Sequence, residues 1–541
     1  MLKIKTFKRI VLVFFLLTIP FCIISYNHIG EDCFITFRYA ENFASGKGLV
    51  YNAGEWIEGY SNFLWVIILS FFSFLGYNTI DVAKILSALF YALILFPASY
   101  FFIHTGQKKV HSSRVLVPVL LLFNPMLHYH VDRCLETPLY TFLLLLAFYL
   151  IKYRKYFLSS LIFLTVALTR PEGFIYFCAG AILPLWDGFK FFLRVRKHIS
   201  MIKTRPISEF FIPFIVGFLA YIFWRHHAYG YFLPNTVYLK VSKWNFIQNP
   251  SVDDLWNFTV SWSFLPLLAI ISFIFLLKVR KGSREKKGVF ILGVASLLII
   301  AYNTYIGKVL AEPFRHLVPL IPFLIIIIGE GFRQVAEKLK NLFLIWTIAI
   351  IIGLMNFYTV NNYDAPASRL HIRTIQFLTK WDLIERIRWF FGPPLWLNGE
   401  AGEAIRKIIP KDSLGAVDQM GQFGYYSKLR LIDLGGLIDT HIAHQGFSKE
   451  YLFSRNPDYC IIYASNGIPH IYHLKLLIEE PEFKQKYFPI YVLKWKIDTN
   501  EFIVYIRQEL AKERADQPSR IMYVGPEKDE WNKKWRIFPI K

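Results

Sequence analysis

Long apolar runs recur along most of this 541-residue chain, at 10–24, 85–103, 115–127, 139–151, 210–224, 264–277, 289–300, 317–328 and 342–357. A hydrocarbon layer of about 30 Å takes about 20 mostly apolar residues as helix. Several of the runs are shorter and borrow flanking Tyr, Trp and Phe, which suit the interface. With aromatic residues at 18% of the chain, the pattern excludes an ordinary soluble enzyme. The expected class is a polytopic α-helical membrane protein.

The net charge of +22 would fit a nucleic-acid binder, but its placement argues against one. Lys and Arg cluster in short gaps between apolar runs, at 3–9, 108–114, 152–155, 190–205, 278–287 and 333–340, as cytoplasmic loops do. Such alternation reads out topology, with a cytoplasmic N-terminus and an uncleaved first helix. It puts the loop 26–61 outside and 105–114 inside, so an odd number of crossings must separate them. Two apolar runs intervene, and 62–76, short and opening on polar residues, is taken as interfacial or re-entrant. Later runs then alternate to give about eleven spans. The polar loops 128–137, 170–173, 225–262 and 308–315 all fall outside, as does the chain after about 358. The expected domains are a transmembrane unit, 1–358, and an extracytoplasmic soluble α/β domain, 359–541. Short alternating segments at 413–418, 429–433, 459–463 and 502–506 supply its strands. The amphipathic stretch 359–392 reads as a linker on the bilayer.

The first outer loop carries the densest chemistry. Two adjacent carboxylates, Glu31 and Asp32, stand where the first helix leaves the bilayer. Ionisable groups are costly there, so a function is the expected reason for them, with a helix-end cap as the alternative. Two acids side by side in a shielded site cannot both ionise freely, which raises one of them toward a useful range. Arg38-Tyr39-Ala-Glu-Asn42, Gly46-Lys-Gly-Leu-Val-Tyr-Asn52 and Glu58-Gly-Tyr60-Ser-Asn62-Phe-Leu-Trp65 follow. Further on come Leu135-Glu136-Thr-Pro-Leu139, Thr169-Arg170-Pro-Glu172-Gly173, Leu233-Pro-Asn-Thr-Val-Tyr-Leu-Lys240, Pro313-Phe-Arg315-His316-Leu-Val-Pro319 and Ile432-Asp-Leu-Gly-Gly-Leu-Ile-Asp439.

In this order the motifs resemble those of the GT-C superfamily, membrane glycosyltransferases that use polyprenyl-phosphate sugars. The nearest likeness is to the mycobacterial terminal arabinofuranosyltransferase group. The acid followed six residues later by Arg is also similar to the equivalent loop of oligosaccharyltransferase catalytic subunits. The chain departs from the pattern at Glu31, where Asp is usual, and at Leu135, where a small-Met pair precedes the Glu.

The resemblance implies a GT-C fold in a bacterial plasma membrane and single-displacement, inverting transfer of a monosaccharide, with a pentofuranose in view. The donor would be a polyprenyl-phosphate sugar and the acceptor a cell-envelope glycan or glycolipid. An alcohol needs a base to attack at neutral pH, and a leaving phosphate needs cations or hydrogen bonds. Asp32 is the candidate base with Glu31 beside it. Arg170, Arg315 and Lys240 are candidates for gripping the phosphate, each against the alternative of an Arg or Lys reaching for lipid headgroups. Glu136 either meets sugar hydroxyls or folds back onto Arg133. Glu58, Tyr60 and Asn62 shape the loop or touch the sugar, and Arg38, Tyr39, Asn42, Glu172 and His316 complete the expected binding set. No metal or cofactor is assigned, and participation of a divalent cation stays open. The rival classes are a lipid-linked glycan transporter, whose internal repeats are not seen here, and a non-catalytic envelope assembly subunit.

Overall fold

The computed structural model describes residues 1–25, 29–104, 106–194, 205–241, 255, 258–259, 265–278, 283–306, 315–339, 342–357, 397–494, 500–511 and 520–523. The apolar runs become helices: α1 (Ile4–Ser25), α2 (Cys33–Ala44), α3 (Phe63–Phe74), α4 (Thr79–Tyr100), α5 (Leu116–Leu122), α6 (Pro125–Asp132), α7 (Thr137–Lys152), α8 (Tyr156–Thr169), α9 (Gly173–Gly180), α10 (Ile182–Arg194), α11 (Arg205–Tyr229) and α12 (Asn235–Val241). The helices Leu265–Lys278, Ser283–Ile306, Leu320–Leu339 and Leu342–Phe357 complete this part. Helix α4 packs between α1 and α7, and α8 between α7 and α11. Their shared core is apolar and aromatic, with Trp65, Tyr91, Phe148 and Phe163 fully enclosed.

Two helices, α4 and α11, and the segment Lys287–Thr304 are long and apolar enough to cross a membrane. The bent pair Ser112–Leu122 and Met126–Asp132 makes a fourth if counted as one span. Six shorter apolar helices of 10–17 residues accompany them. Among the described residues, length and composition therefore do not supply the expected eleven crossings. The shortfall is one of helix length: most of the apolar runs end as helices of 10–17 residues, bounded by turns such as 133–136 and 170–173. Helix α3, with 12 residues, extends about 18 Å at 1.5 Å per residue, too little to cross alone.

The C-terminal part is built on a mixed sheet. All four alternating segments form strands: β3 (Leu414–Val417), β4 (Arg430–Asp433), β5 (Tyr459–Ser465) and β8 (Asn500–Arg507), after the two-residue strands β1 (Leu2–Lys3) and β2 (Lys109–Val110), which pair with each other. Strands β6 (Ile468–Pro469), β7 (Tyr487–Lys494) and β9 (Arg520–Tyr523) complete the sheet, in the order β4-β3-β5-β8-β7-β9 with β6 on β5. Strand β3 runs parallel to both β4 and β5, whereas β5, β8 and β7 are successively antiparallel. The linker proposed over 359–392, and with it the expected boundary at 358/359, lies outside the described residues.

The first loop and this sheet are joined through one buried arginine. Arg38, on α2, donates from Nη1 to the Gly424 carbonyl and from Nη2 to the Leu429 carbonyl, each at 2.6 Å, and from Nε to the Tyr51 carbonyl at 2.9 Å. The Asn52 amide mimics a neighbouring strand, giving to the Leu431 carbonyl at 2.8 Å and accepting from the Leu431 N–H at 3.1 Å. The Tyr51 hydroxyl donates to the Met420 carbonyl at 2.6 Å. At the rim, Glu41 meets Tyr425 and Lys428, and Glu55 meets Arg430.

Asp418, at the carboxyl end of β3, is buried and accepts the Tyr463 N–H at 3.0 Å. Burial pushes its carboxyl up to about 7. A raised acid is held in its neutral form, so the stability it lends is present at low pH and is lost as pH rises from the ordinary carboxylate range through about 7. Hydrogen-exchange protection across β3 and β5 in the full-length protein, corrected for the intrinsic rise of exchange with pH, should therefore fall from about pH 4 to about pH 7. Asp418→Asn should flatten that profile, with a gain of at most about 4 kcal/mol at pH 8. An unchanged profile in the variant would rule out Asp418 as its source.

Candidate active site

The sequence 169–173 makes a tight elbow. Arg170 closes α8 in an extended conformation (φ −153°, ψ 138°), as a residue before proline prefers. Gly173 then opens α9 against the backbone of Val166 and Ala167, where any Cβ would overlap main-chain atoms. The chain reverses there with Arg170 and Glu172 both turned inward: Arg170 Nε lies 2.7 Å from Glu172 Oε1. Arg170 is buried, which settles its alternative reading against a headgroup-seeking arginine.

Glu136 is fully enclosed at the start of α7 and gathers the remaining parts. Arg315 Nη2 donates to its Oε1 at 2.5 Å, Arg170 Nε lies 3.8 Å from the same oxygen, and Asn62 Nδ2 donates to Oε2 at 3.0 Å. Glu136 thus pairs with Arg315 and Arg170; of its two alternatives, the fold-back onto Arg133 is not the one seen, the Arg133 guanidinium meeting Tyr129. His316 accepts from Arg170 and stands 3.6 Å from Glu172. Burial alone would raise both carboxyls, but the guanidiniums of Arg315 and Arg170 hold Glu136 below its ordinary value. Arg170 and His316 do the same for Glu172. Two guanidinium nitrogens in the cluster, Arg170 Nη1 and Arg315 Nε, are buried without a hydrogen-bond partner among the described residues.

The acid pair adjoins this cluster from the other side. Asn62 also donates to Thr36 Oγ1 at 3.1 Å, one turn into α2. The Gly30 N–H reaches the Arg133 carbonyl at 3.3 Å, and Trp65 Nε1 the Cys134 carbonyl at 3.2 Å. The loop before α2 therefore lies against the turn that carries Glu136. Asp32 occupies the position before α2 with helical backbone angles (φ −63°, ψ −27°), and its side chain makes no capping hydrogen bond. The cap reading thus lacks its defining contact. Glu31 is half-buried, and its carboxyl is pushed up to about 8, first by burial and then by the charge of Asp32.

Other expected residues shape the loop. Tyr39 donates to the Ile57 carbonyl at 2.7 Å and accepts the Gly59 N–H. Asn42 donates to the Val50 and Tyr51 carbonyls, both at 2.9 Å. Arg38 donates to three main-chain carbonyls and to Asn52, which makes it a tie between the first loop and the sheet. Glu58 pairs with Arg225 at 2.9 Å, and Tyr60 shares a hydrogen bond with Tyr229. Lys240 lies on α12, with its side chain outside the description.

Sequence reading missed Arg225, Tyr140 and Tyr302. Tyr140 sits one turn after Glu136, its ring 5.1 Å from the Arg170 guanidinium, and Tyr302 stands edge-on to His316 at 5.7 Å. An i+4 check from Glu136 would have found Tyr140. Arg225 was legible as a cation near the end of the long apolar helix α11.

The solved structures compare with this chain over nearly its whole length. ArnT from Cupriavidus metallidurans bound to undecaprenyl phosphate matches with a TM-score of 0.53 at 12% identity, covering 93% of this chain and 97% of that one. AglB, the oligosaccharyltransferase of Archaeoglobus fulgidus, in complex with an inhibitory peptide and a dolichol-phosphate, gives 0.54 at 10% identity, covering 94% and 75%. The fold is that of the GT-C membrane glycosyltransferases. A domain family of unknown function, DUF8728, matches residues 388–515. No curated protein matches in sequence.

The ion cluster gives a stability test. Removing one partner of a buried pair typically costs about 3–5 kcal/mol, because the other charge is left uncompensated. Glu136→Ala strands two arginines and should lower the thermal unfolding temperature in detergent sharply. Glu136→Gln, which keeps the Asn62 and Arg315 contacts sterically possible, should lower it less. Equal unfolding temperatures for both variants and wild type would contradict the pairing.

Proposed function

We propose that this protein is a membrane glycosyltransferase that moves a sugar from a polyprenyl-phosphate carrier to a hydroxyl of a cell-envelope glycan or glycolipid. The observation that carries the reading is the buried cluster of Arg170, Arg315 and His316 beside an acid pair, on a fold shared with proteins solved with lipid phosphates. In the cluster Glu136 and Glu172 balance the two arginines, and two guanidinium N–H donors have no protein acceptor among the described residues. An incoming phosphate supplies the missing acceptor oxygens, and guanidinium is well matched to them.

In this reading Asp32 takes the proton from the acceptor hydroxyl as its oxygen bonds to the anomeric carbon. The bond from that carbon to the phosphate oxygen breaks, with inversion, and the arginines take up the charge that develops on the leaving phosphate. The pentofuranose donor, the eleven-span topology with the C-terminal domain outside, and the bacterial plasma-membrane location belong to the same proposal. They rest on the motif order in the first loop and on the alternation of basic loops.

Transfer of labelled sugar from synthetic polyprenyl-phosphate donors to envelope extract tests the proposal. Asp32→Asn should lower turnover by at least about 10²-fold, the usual weight of a general base. Wild-type turnover with undiminished transfer in Asp32→Asn would remove Asp32 from the chemistry. Absence of transfer by folded wild type with every donor would reject the enzyme reading.

A further inference from the structure

The acid pair is touched from the C-terminal part by the turn after β3 and by the side chain of Asn398, on the helix Leu397–Ile408. That turn, residues 418–422, follows β3 and leads into the short helix Gln422–Ser427, so it stands at the carboxyl end of a parallel strand with neighbours on both sides. In α/β sheets the loops at these ends project functional groups, because they lie outside the hydrogen-bonded frame. Here the Gln422 N–H donates to Glu31 Oε1 at 3.1 Å. Gly421 lies so close that a Cβ on it would overlap both the carbonyl and the carboxyl of Glu31. Its ψ of −102° at a φ of −67° also lies outside the regions open to residues with a Cβ, so close approach and backbone conformation together ask for glycine at this position.

The turn is itself held from both sides. Tyr51 donates to the Met420 carbonyl, and Arg38 grips the Gly424 and Leu429 carbonyls, all at 2.6 Å. Both anchoring side chains come from the loop that bears the acids. The Glu31 and Asp32 carbonyls accept the Phe34 and Ile35 N–H groups at the start of α2, at 3.3 and 3.2 Å. A push on Glu31 therefore tilts the backbone that carries Asp32.

We propose that the Met420–Gln422 turn is the positioning element of the acid pair, with Glu31 the residue it holds and Asp32 the residue it aims. The soluble domain is then a working part of the catalytic unit, and Glu31 acts as a hydrogen-bond acceptor whose charge the reaction does not use. The catalytic half of this inference rests on the glycosyltransferase reading, whereas the contact itself does not.

Two readouts separate them in the full-length protein. Hydrogen exchange of the segment 419–425 should quicken at least tenfold in Glu31→Ala and Gly421→Ala, and return toward wild type in Glu31→Gln, whose amide oxygen still accepts the Gln422 N–H. In the transfer assay, Glu31→Ala and Gly421→Ala should lower kcat at least tenfold with donor KM within threefold, and Glu31→Gln should recover most of the kcat lost in Glu31→Ala. A Glu31→Gln variant as inactive as Glu31→Ala would overturn the inference by giving Glu31's charge or proton a direct part. Exchange in 419–425 indifferent to Glu31→Ala would overturn it at the contact. Inactive wild type with the expected exchange pattern would sink the enzyme reading and leave the positioning contact established.

Discussion

A carboxylate with no access to water has to be matched by cations at hydrogen-bond distance, and Glu136 is such a group. Its partners come from three other parts of the chain: Asn62 before α3, Arg170 at the end of α8, and Arg315 before the helix Leu320–Leu339. The requirement that one buried charge be satisfied thus fixes how four segments meet. It also accounts for the inward elbow at 169–173, where proline and glycine permit a reversal that a continuous helix would forbid. The two carboxylates and two arginines are near electrical balance, which lets the cluster stay buried without strong cost. Its unmatched N–H donors leave it able to take an anion.

The second constraint is the interlock between the first loop and the sheet domain. Hydrogen bonds from a charged donor to buried carbonyls are among the stronger polar contacts, at about 1.5–3 kcal/mol each. Arg38 makes two of them across the interface, and Asn52 extends the edge of β4 by pairing with Leu431 in both directions. Residues that stand together in the sequence motif are therefore divided between tasks. Asn62 reaches the ion cluster and Tyr39 and Asn42 brace the loop, whereas Arg38, Tyr51 and Asn52 face the other domain.

How far this was legible in sequence depends on the kind of information each feature carries. Four strands of the C-terminal sheet, β3, β4, β5 and β8, declared themselves by alternation; β6, β7 and β9 did not, and in β7 Pro489 breaks the run and a register shift follows. The helical class followed from the apolar runs. Their number as crossings did not, because apolar runs in the sequence end as helices of 10–17 residues, and run length does not show where a helix stops. Glu136, Arg170, Glu172, Arg315 and His316 were singled out separately, and the structure brings them together. The tie that Arg38 makes was not legible, because a motif records that a residue is needed and not what it touches. Its partners Gly424 and Leu429 lie some 390 positions away and contribute only backbone carbonyls, which leave no trace in residue type.

The central claim is that the arginine cluster is built for a lipid phosphate, and direct binding tests it without any assumption about the sugar. Native mass spectrometry of the purified protein with undecaprenyl phosphate and with uncharged undecaprenol isolates the contribution of the phosphate. The account predicts retention of the phosphate form by wild type, weak retention of the alcohol, and loss of that difference in Arg315→Ala. Equal retention of the two lipids by wild type, or an Arg315→Ala variant that still discriminates between them, would contradict it.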